Sequence, residues 1–203
     1  MKFIPLLALL LIVIGCSAES IQKDTPTTID LPESAAYTLN SEQSQLIYQA
    51  SRFVGSSHIG TVAINAGELE RENDTFTSGK FVIDMNTITE SKTNERFLKH
   101  VRSDDFFGIE EFPTAQFVIT NIEEGEQYMI TGDLTIRDQT HEITFPAEIV
   151  SADENSLEIH AAFTIDRTKW GITFDSSSFF TNIGDKAIKD DVRFGLKLVF
   201  EKK

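Results

Sequence analysis

The amino-acid sequence predicts an all-β domain: an eight-stranded antiparallel β-barrel with a short helical insert between strands 3 and 4. Apolar and polar residues alternate from Tyr37 onward, turn-forming residues separate the alternating segments, and one helix-like segment follows the third of them. Each such strand faces water on one side and an apolar interior on the other. A β-sandwich would show the same period. The aromatic insert favours a barrel, because a barrel mouth needs a cover.

The eight predicted strands are defined by the residues on their apolar faces. Residues two apart in a strand share a face. In chain order the apolar faces are Leu46-Tyr48-Ala50, Val62-Ile64-Ala66, Phe81-Ile83-Met85, Ala115-Phe117-Ile119, Tyr128-Ile130-Leu134-Ile136, Ile143-Phe145-Ala147-Ile149, Leu157-Ile159-Ala161-Phe163-Ile165 and Val192-Phe194-Leu196-Leu198-Phe200. Closing eight strands removes the exposed sheet edges and leaves an interior wide enough for a ligand.

The alternation also predicts which side chains share the interior. The expected inward set is Phe81, Ile83, Phe117, Leu134, Ile136, Phe163, Phe194 and Leu196. The expected outward set is Lys80, Asp84, Thr135, Glu148 and Arg193. A slip of one residue in any strand would exchange the two sets, so they test the predicted register.

The helical insert is expected over residues 93–107. Thr93 is the expected N-cap, and Phe97 and Val101 fall on one helix face at i, i+4. Phe106 and Phe107 follow together before extended chain resumes. Exposing these rings to water is unfavourable, so we expect the insert to pack as a lid across one end of the barrel. The alternative is that the rings fill the core.

Residues 1–15 have the features of a lipoprotein signal peptide. Lys2 precedes an apolar run at 3–14, and Cys16, the only cysteine, follows Gly15. The run is shorter than the roughly 20 residues of a bilayer span but suits the apolar region of a signal peptide. The sequence V-I-G-C resembles a bacterial lipobox, so we expect lipidation of Cys16. The alternative is an ordinary export signal that is cut nearby.

Residues 16–36 read as a lipid-anchored flexible tether. They are polar, contain two prolines and show no sustained period. A flexible coil of this length would span roughly 25 Å on average, enough to hold a domain clear of a membrane. Ser17 rather than Asp after the cysteine predicts the periplasmic face of the outer membrane. The barrel domain then covers residues 37–203.

Composition and charge narrow the class of ligand. Of the aromatic residues, 16 are Phe, against 3 Tyr and 1 Trp, which suits a large apolar interior. The formal charge of -14 argues against binding to nucleic acid and against electrostatic docking on anionic lipid.

Nothing in the sequence has the pattern of a catalytic or metal site. His58, His100, His141 and His160 are far apart and lack the paired spacing of a zinc motif. A G-x-S-x-G motif and a glycine-rich phosphate loop are both missing from the sequence. We therefore expect no enzyme activity, no catalytic residues, no bound metal and no cofactor.

Six segments together resemble the YceI-like family: S-Q-L-I-Y-Q-A at 44–50, I-D-M-N-T-I-T at 83–89, F-L-K-H-V-R-S-D-D-F-F at 97–107, F-P-T-A-Q-F at 112–117, Y-M-I-T-G-D-L-T-I-R at 128–137 and F-T-I-D-R-T-K-W-G-I at 163–172. The resemblance runs from Tyr37 to Phe200. It implies a lipocalin-like barrel that binds polyisoprenoids or other long apolar lipids. Arg52 stands where the family commonly has histidine, and Trp170 where phenylalanine is usual. Asp138 replaces a turn glycine, and we expect it to adopt the left-handed conformation that Asp tolerates.

The predicted ligand-binding residues are inward-facing strand residues, the rings of the lid, and Trp170 of the 163–172 segment: Tyr48, Arg52, Phe81, Ile83, Phe97, Phe106, Phe107, Phe117, Leu134, Ile136, Phe163, Trp170 and Phe194. Arg52 shares strand parity with Tyr48, so its guanidinium points inward if the strand is straight. It would then clamp a ligand head group or join an internal salt bridge. A third reading places it at a strand end, already in solvent.

The sequence thus predicts a lipid-anchored β-barrel of the bacterial cell envelope that binds, sequesters or transports a long apolar lipid of the polyisoprenoid type. Two alternatives stay open: an envelope enzyme acting on a lipid in the same cavity, and a structural barrel with a filled core. The expected partners are the lipid and, through Cys16, the membrane. A homodimer is also left open.

Overall fold

Nine strands close into a barrel in the computed structural model, which describes residues 31–92 and 94–203. They are β1 (Ala35–Leu39), β2 (Gln45–Ser51), β3 (Ser57–Glu72), β4 (Thr75–Asp84), β5 (Thr114–Glu123), β6 (Tyr128–Ile136), β7 (Gln139–Ala152), β8 (Ser156–Asp166) and β9 (Asp191–Lys202). The helix α1 (Glu95–Arg102) lies between β4 and β5, and 3₁₀ turns occupy Met85–Thr87, Arg167–Trp170 and Gly184–Lys186. The all-β class and the position of the insert are confirmed.

The nine strands fill eight positions, because β1 and β2 lie end to end between β3 and β9. β1 pairs with the last part of β3, where Tyr37 faces Leu69, and with the last residues of β9. β2 pairs with the first parts of both neighbours, where Leu46 faces Val62 and Leu196. Pairing of β3 with β4 completes a ring in which every pair is antiparallel. The predicted eight-stranded antiparallel barrel is therefore confirmed.

β1 begins before the predicted end of the tether. Ala35 and Ala36 pair with Arg71 and Glu70, so residues assigned to the tether already belong to the sheet. Residues 1–30 lie outside the described residues. The predicted signal peptide, the lipidation of Cys16 and most of the tether therefore stay predictions.

From β2 onward, consecutive strands are neighbours in the sheet, so their connections alternate between the two ends of the barrel. One end, which we call the turn end, has the short connections 73–74, 124–127 and 153–155. The other, the loop end, has the connections 52–56, 85–113, 137–138 and 167–190. The loop end thus carries α1 and every long connection between strands of the described barrel.

The inward set predicted from alternation lines the space inside the barrel without exception. Lys80, Glu148 and Arg193 are exposed on the outer surface, as predicted. Asp84 and Thr135 also lie outside the lumen but are half-buried, and their side chains hydrogen-bond to nearby residues. The register inferred from the sequence is therefore correct at these positions.

Ala66 is a correction to the predicted β3 face. A β-bulge shifts the register there, so that Ile64 faces Ile83 but Ala66 faces Val82. The extra residue leaves Ala66 exposed and buries Gly67 in its place. β5 and β7 contain similar irregularities. A bulge has no signature in the alternation itself, which is why the sequence reading continued the face through Ala66.

The β6–β7 turn differs from the prediction in its left-handed residue. Arg137 adopts the positive φ of 57°, and Asp138 does not. The Arg137 guanidinium donates to the Phe106 carbonyl oxygen at 3.4 Å and lies 5.4 Å from the centre of the Phe112 ring. Contacts with the insert therefore accompany this uncommon backbone conformation.

An apolar plug closes the turn end. It consists of Tyr37, Phe76, Leu157 and Phe200, none more than 5% exposed. The Phe76 ring meets Tyr128 edge-on at 5.7 Å between centroids. Side chains therefore fill the barrel at this end.

Gly60 allows the start of the insert to lie against β3. A Cβ at this position would overlap the Thr89 carbonyl oxygen and stand 2.7 Å from the Tyr48 hydroxyl. Tyr48 lies opposite Gly60 across the β2–β3 pair, and its hydroxyl donates to the Thr89 carbonyl oxygen at 2.6 Å. Glycine thus leaves room for a contact that joins the insert to the barrel.

We predict that Gly60→Ala lowers the free energy of unfolding by about 1–3 kcal/mol, the usual cost of overpacking. Gly195→Ala is the matched control in a strand, because no atom lies within 4 Å of a Cβ built there. Urea denaturation of both variants measures the difference. Equal free energies of unfolding for the two variants would contradict the conclusion that Gly60 is required by the close approach of Thr89.

Candidate functional site

A cavity of about 970 Å³ lies inside the barrel. Its wall is built from inward side chains of β2 to β9, most of them Leu, Ile, Val, Ala and Phe. Alternation produces this wall, because the polar residues of each strand point to the outer face. The volume lies near the top of the range of small-molecule pockets, about 300–1,000 Å³. The barrel is therefore not filled by its own side chains.

Five phenylalanine rings form an arc along the cavity wall. Centroid distances are 5.5 Å from Phe117 to Phe145, 4.5 Å from Phe145 to Phe163 and 5.3 Å from Phe163 to Phe194. Phe81 extends the arc at 6.4 Å from Phe117. These are the separations of favourable aromatic pairs. The arc gives the cavity a wide aromatic surface without polar atoms.

Gly132 makes the arc possible where β6 passes between β5 and β7. A Cβ at Gly132 would stand 2.5 Å from the Phe117 ring. Sequence reasoning placed Phe145 on an apolar face but left it out of the site, although the alternation contained the signal. The role of Gly132 had no sequence signal, because it depends on a contact across strands.

The structure brings together all but one of the predicted ligand-binding residues. Those that line the cavity are Tyr48, Arg52, Phe81, Ile83, Phe97, Phe106, Phe107, Phe117, Leu134, Ile136, Phe163 and Phe194. Their part in binding stays a prediction. Sequence reasoning missed His58 and Phe174, which also line the cavity.

Trp170 is the exception, and its predicted contact with a ligand is corrected. Its side chain is 1% exposed and does not line the cavity. The indole Nε1 donates to the Leu134 carbonyl oxygen at 3.0 Å, and the ring meets His141 edge-on at 5.1 Å. The 3₁₀ turn Arg167–Trp170 ends the strand, so strand parity no longer applies at this position.

Arg52 lies at the rim of the cavity. Its Nη1 donates to the Lys186 carbonyl oxygen at 2.6 Å, and its backbone pairs with Ile188 in an isolated bridge. Within residues 31–92 and 94–203, no carboxylate forms a salt bridge with it. The arginine therefore stands half-buried at a strand end and lines the cavity, and its contact with a ligand head group stays a prediction.

α1 covers the loop end with its apolar face. It begins at Asn94, whose side chain accepts a hydrogen bond from the Phe97 amide at 3.1 Å. The predicted cap Thr93 is corrected to Asn94, and Thr93 itself lies outside the described residues. Phe97 stacks on His58 of β3 with centroids 4.0 Å apart, and Val101 is buried. The helix thus packs over the cavity.

The segment after α1 completes this cover. Phe106 is 8% exposed, and its ring lies 5.0 Å from His100 and 5.6 Å from Phe174. Phe107 is half-buried and also faces the cavity. Phe106 therefore belongs both to the cover and to the packed core, so the two readings of this ring are compatible.

Charged side chains and histidines line the cavity at the loop end. They are Arg52, His58, Arg96, Lys99, His100, Asp105, Arg167 and Asp175. Arg96 and Lys99 of α1 form no salt bridge within the part of the chain that the structure describes. The cavity is therefore apolar towards the turn end and polar at the loop end.

Arg167 is a buried cation in this wall, 4% exposed. Its guanidinium donates to the carbonyl oxygens of Ile172 at 2.7 Å, Ile188 at 3.2 Å and Lys189 at 3.2 Å. Asp190 accepts from it at 3.4 Å. Burial lowers the pKa of Arg167, and the charge of Asp190 opposes that shift. These bonds tie the 167–190 connection to the barrel, which is a structural role.

His58 joins the barrel wall to the insert. Its Nδ1 lies 2.5 Å from Oε1 of Glu90, whose side chain is 3% exposed. The His58 ring also stacks on the Phe97 ring of α1. A buried carboxylate requires a polar partner, and His58 supplies it.

The Tyr48 hydroxyl is a proton donor at the same junction. Burial raises the pKa of Tyr48 to about 12, and the negative charge of Glu90 raises it as well. The phenol therefore stays protonated, and able to donate its hydrogen bond to Thr89, at an alkaline pH where an ordinary tyrosine ionises.

The described ranges 31–92 and 94–203 hold no group of three or more His, Cys, Asp or Glu side chains placed to bind a metal ion. They also contain no helix with the length and apolar character that a bilayer crossing requires.

Comparison with known proteins identifies the family. A model of the YceI-like domain matches residues 37–200. The chain belongs to the YceI-like domain family. This confirms the resemblance carried by the six sequence segments.

Similar sequences include UPF0312 proteins of staphylococci. One from Staphylococcus aureus is 27% identical over 164 residues, which cover 78% of this chain and 92% of the relative. One from Staphylococcus epidermidis is 37% identical over 90 residues, which cover 41% of this chain and 51% of the relative.

Solved structures share the YceI-like fold at low sequence identity. BcnA of Burkholderia cenocepacia has a TM-score of 0.59 and 17% identity, covering 79% of this chain and 98% of the neighbour. A polyisoprenoid binding domain from Saccharophagus degradans, implicated in plant cell wall breakdown, has a TM-score of 0.61 and 14% identity, covering 83% and 99%. These likenesses establish a common barrel architecture.

The raised pKa of Tyr48 predicts a loss of stability at alkaline pH. The unfolded phenol ionises near its ordinary value of 10.0, before the folded one does. This contribution to stability is therefore complete below pH 10 and is lost as the pH rises towards about 12. In Tyr48→Phe the stability should fall less steeply over that window than in the wild type.

Denaturation midpoints of both proteins, measured from pH 8 to about 12, test the prediction. Tyr37 and Tyr128 also ionise at alkaline pH, but they are present in both proteins and contribute equally to both pH profiles. The pKa values of these two phenols are also raised by burial. Identical pH profiles for the variant and the wild type would contradict the role given to Tyr48.

Proposed function

We propose that this chain binds a long apolar lipid of the polyisoprenoid type inside the barrel, and sequesters or carries it in the bacterial envelope. The observation that carries the proposal is the apolar cavity of about 970 Å³ with its arc of phenylalanine rings. Moving an apolar chain from water into such a wall is favourable by about 25 cal/mol per Å² of surface buried.

The distribution of polar groups gives the bound lipid an orientation. The plug at the turn end is apolar, whereas Arg52, Arg96 and Lys99 line the cavity at the loop end. A lipid with one polar end is best accommodated with its apolar chain towards the plug and its polar end among these side chains. The insert then lies over the route of entry, as the lid reading requires.

A structural neighbour supports the same class of ligand. The Saccharophagus degradans domain is described as a polyisoprenoid binding domain. Its 14% identity extends the fold to this chain but not the ligand. The support for a lipid here is therefore the cavity, and the neighbour narrows the choice of first probe.

The filled-barrel alternative agrees less well with the structure, because the interior holds a large cavity. The enzyme alternative needs a nucleophile or a general acid and base facing a bound lipid. His58, paired with Glu90 and stacked on Phe97, is the cavity side chain nearest to this requirement, but within the described residues no hydroxyl or amine nucleophile is hydrogen-bonded to it. Binding without chemistry is the simpler account of the site.

Filling the cavity should abolish binding without unfolding the barrel. Ala161 of β8 lines the cavity, so Ala161→Trp places a large ring where the lipid chain would lie. The neighbouring Ala162 is exposed on the outer face, so Ala162→Trp is the matched control. We expect a loss of affinity of about tenfold or more in the first variant only, equal to about 1.4 kcal/mol.

Titration with a fluorescent polyisoprenoid analogue measures this difference, with circular dichroism to verify that both variants keep their sheet. Native mass spectrometry of protein purified without detergent identifies any lipid retained from the cell. Equal affinity of the two folded variants would place binding outside the barrel and overturn the proposal.

We also propose that Cys16 is lipidated and holds the domain at the membrane, on the periplasmic face of the outer membrane. The lipobox-like V-I-G-C sequence supports this. Cys16→Ser should release the protein from membranes while the barrel keeps its fold. Cell fractionation of wild type and variant measures the change, and an unmodified, unanchored wild type would contradict it.

A further inference from the structure

The loop end carries an unusual group of exposed apolar side chains. Phe53 and Val54 lie in the 52–56 connection at 57% and 58% exposure. Phe179 and Phe180 lie in the 167–190 connection at 59% and 49% exposure. We call these four side chains the apolar rim.

No other large apolar side chain of the described residues is as exposed as the members of the apolar rim. The others are Ile47, Ile59, Val118, Met129 and Val150, at 37–46% exposure. These five lie in strands of the barrel wall, where isolated exposed apolar residues are ordinary. Only the rim has adjacent pairs of such residues on loops.

Hydrogen bonds hold the two connections of the apolar rim together. The Phe53 amide donates to the Ala187 carbonyl oxygen at 3.1 Å, and the Lys189 amide donates to the Ser51 carbonyl oxygen at 2.8 Å. The Arg52 guanidinium adds its bond to the Lys186 carbonyl oxygen. The two connections that carry the rim are therefore bonded to each other rather than independent.

The same connections form part of the cavity wall. Arg52, next to Phe53, lines the cavity, and so do Phe174 and Asp175, which precede Phe179. A molecule leaving the cavity at the loop end would therefore pass close to the apolar rim.

We propose that the apolar rim inserts into a lipid bilayer surface, so that a bound lipid passes between membrane and cavity without crossing water. This inference rests on the proposed lipid-binding function. An apolar chain released into water would lose about 25 cal/mol per Å² of buried surface, which a direct contact avoids. Burial of four large apolar side chains in the bilayer supplies the attraction.

The two connections are less acidic than the chain as a whole, so a membrane surface repels them less than it repels the rest of the protein. Arg52, Lys186 and Lys189 lie beside the rim, and neither connection contains a glutamate, in a chain of formal charge -14. Of the nearby carboxylates, Asp190 is bonded to Arg167 and Ser178. Asp175 and Asp185 remain, so docking depends on apolar insertion and should need no anionic lipid.

Site-specific tryptophan fluorescence tests the docking. Phe180→Trp puts a reporter in the rim of the full-length chain, and vesicles of phosphatidylcholine with brominated acyl chains quench an indole that enters the bilayer. The buried native Trp170 gives a constant background. Val150→Trp is the matched control, because Val150 is 46% exposed near the turn end.

We expect quenching at position 180 to exceed that at position 150 by at least about twofold, with little change when phosphatidylglycerol is added. Any membrane attachment by the N-terminal segment is the same in both variants. Equal quenching at the two positions would overturn the proposal. A concentration-dependent blue shift at position 180 without vesicles would assign the rim to a second copy of the chain and would also overturn it.

A second measurement separates this inference from the proposed function. The double variant Phe53→Ser with Phe180→Ser keeps the cavity wall, so it should bind the fluorescent analogue in solution as the wild type does. Transfer of the analogue from vesicles should slow by about tenfold, or about 1.4 kcal/mol in barrier. Unchanged transfer would overturn docking alone, whereas no binding by the wild type would overturn the proposed function.

Discussion

Closure of the sheet is the constraint on which the cavity depends. β2 pairs with β3 on one side and with β9 on the other, and β1 continues the same position towards the turn end. Without these pairings the sheet would have two open edges, and its apolar face would have to be covered by another layer. With them, the apolar faces of all the strands meet around one space. The insert and the loop end are secondary to this ring.

The closed eight-position barrel encloses more volume than its side chains fill. The unfilled volume is not spread evenly along the barrel. At the turn end, the buried side chains of Phe76, Leu157 and Phe200 close the barrel. In the arc, aromatic rings lie along the wall. Gly132 has no side chain to collide with the Phe117 ring, which can therefore lie against β6. The shape of the cavity thus depends on which large side chains lie opposite small ones on neighbouring strands, as well as on the alternation of residues along each strand.

Alternation made the barrel and its inward face predictable from the sequence, because burial on one face of a strand leaves a period of two. The errors lie where that period is broken. Ala66 follows a bulge, so parity gave the wrong side for it. Trp170 lies in a 3₁₀ turn, where strand parity does not apply. Asn94 caps α1 where Thr93 was expected, a shift of one residue that propensity does not resolve.

Contacts between distant segments were beyond the reach of sequence reasoning. The pairing of His58 with Glu90 and the arrangement of Arg167 among three carbonyl oxygens depend on how connections fold back at the loop end. The apolar rim is a similar case. Phe53 and Phe179 are far apart in the chain, and only the bonds between their connections place them on one structure.

Lys203 lies beside the first strand, since its amide donates to the Ala36 carbonyl oxygen at 2.8 Å. Both segments are at the turn end, opposite the loop end. A fluorescent protein, an affinity tag or a sensor surface coupled through Lys203 would therefore meet the plugged end of the barrel. The loop end would face outward from such an attachment, so oriented immobilisation would leave the proposed route of lipid entry unobstructed.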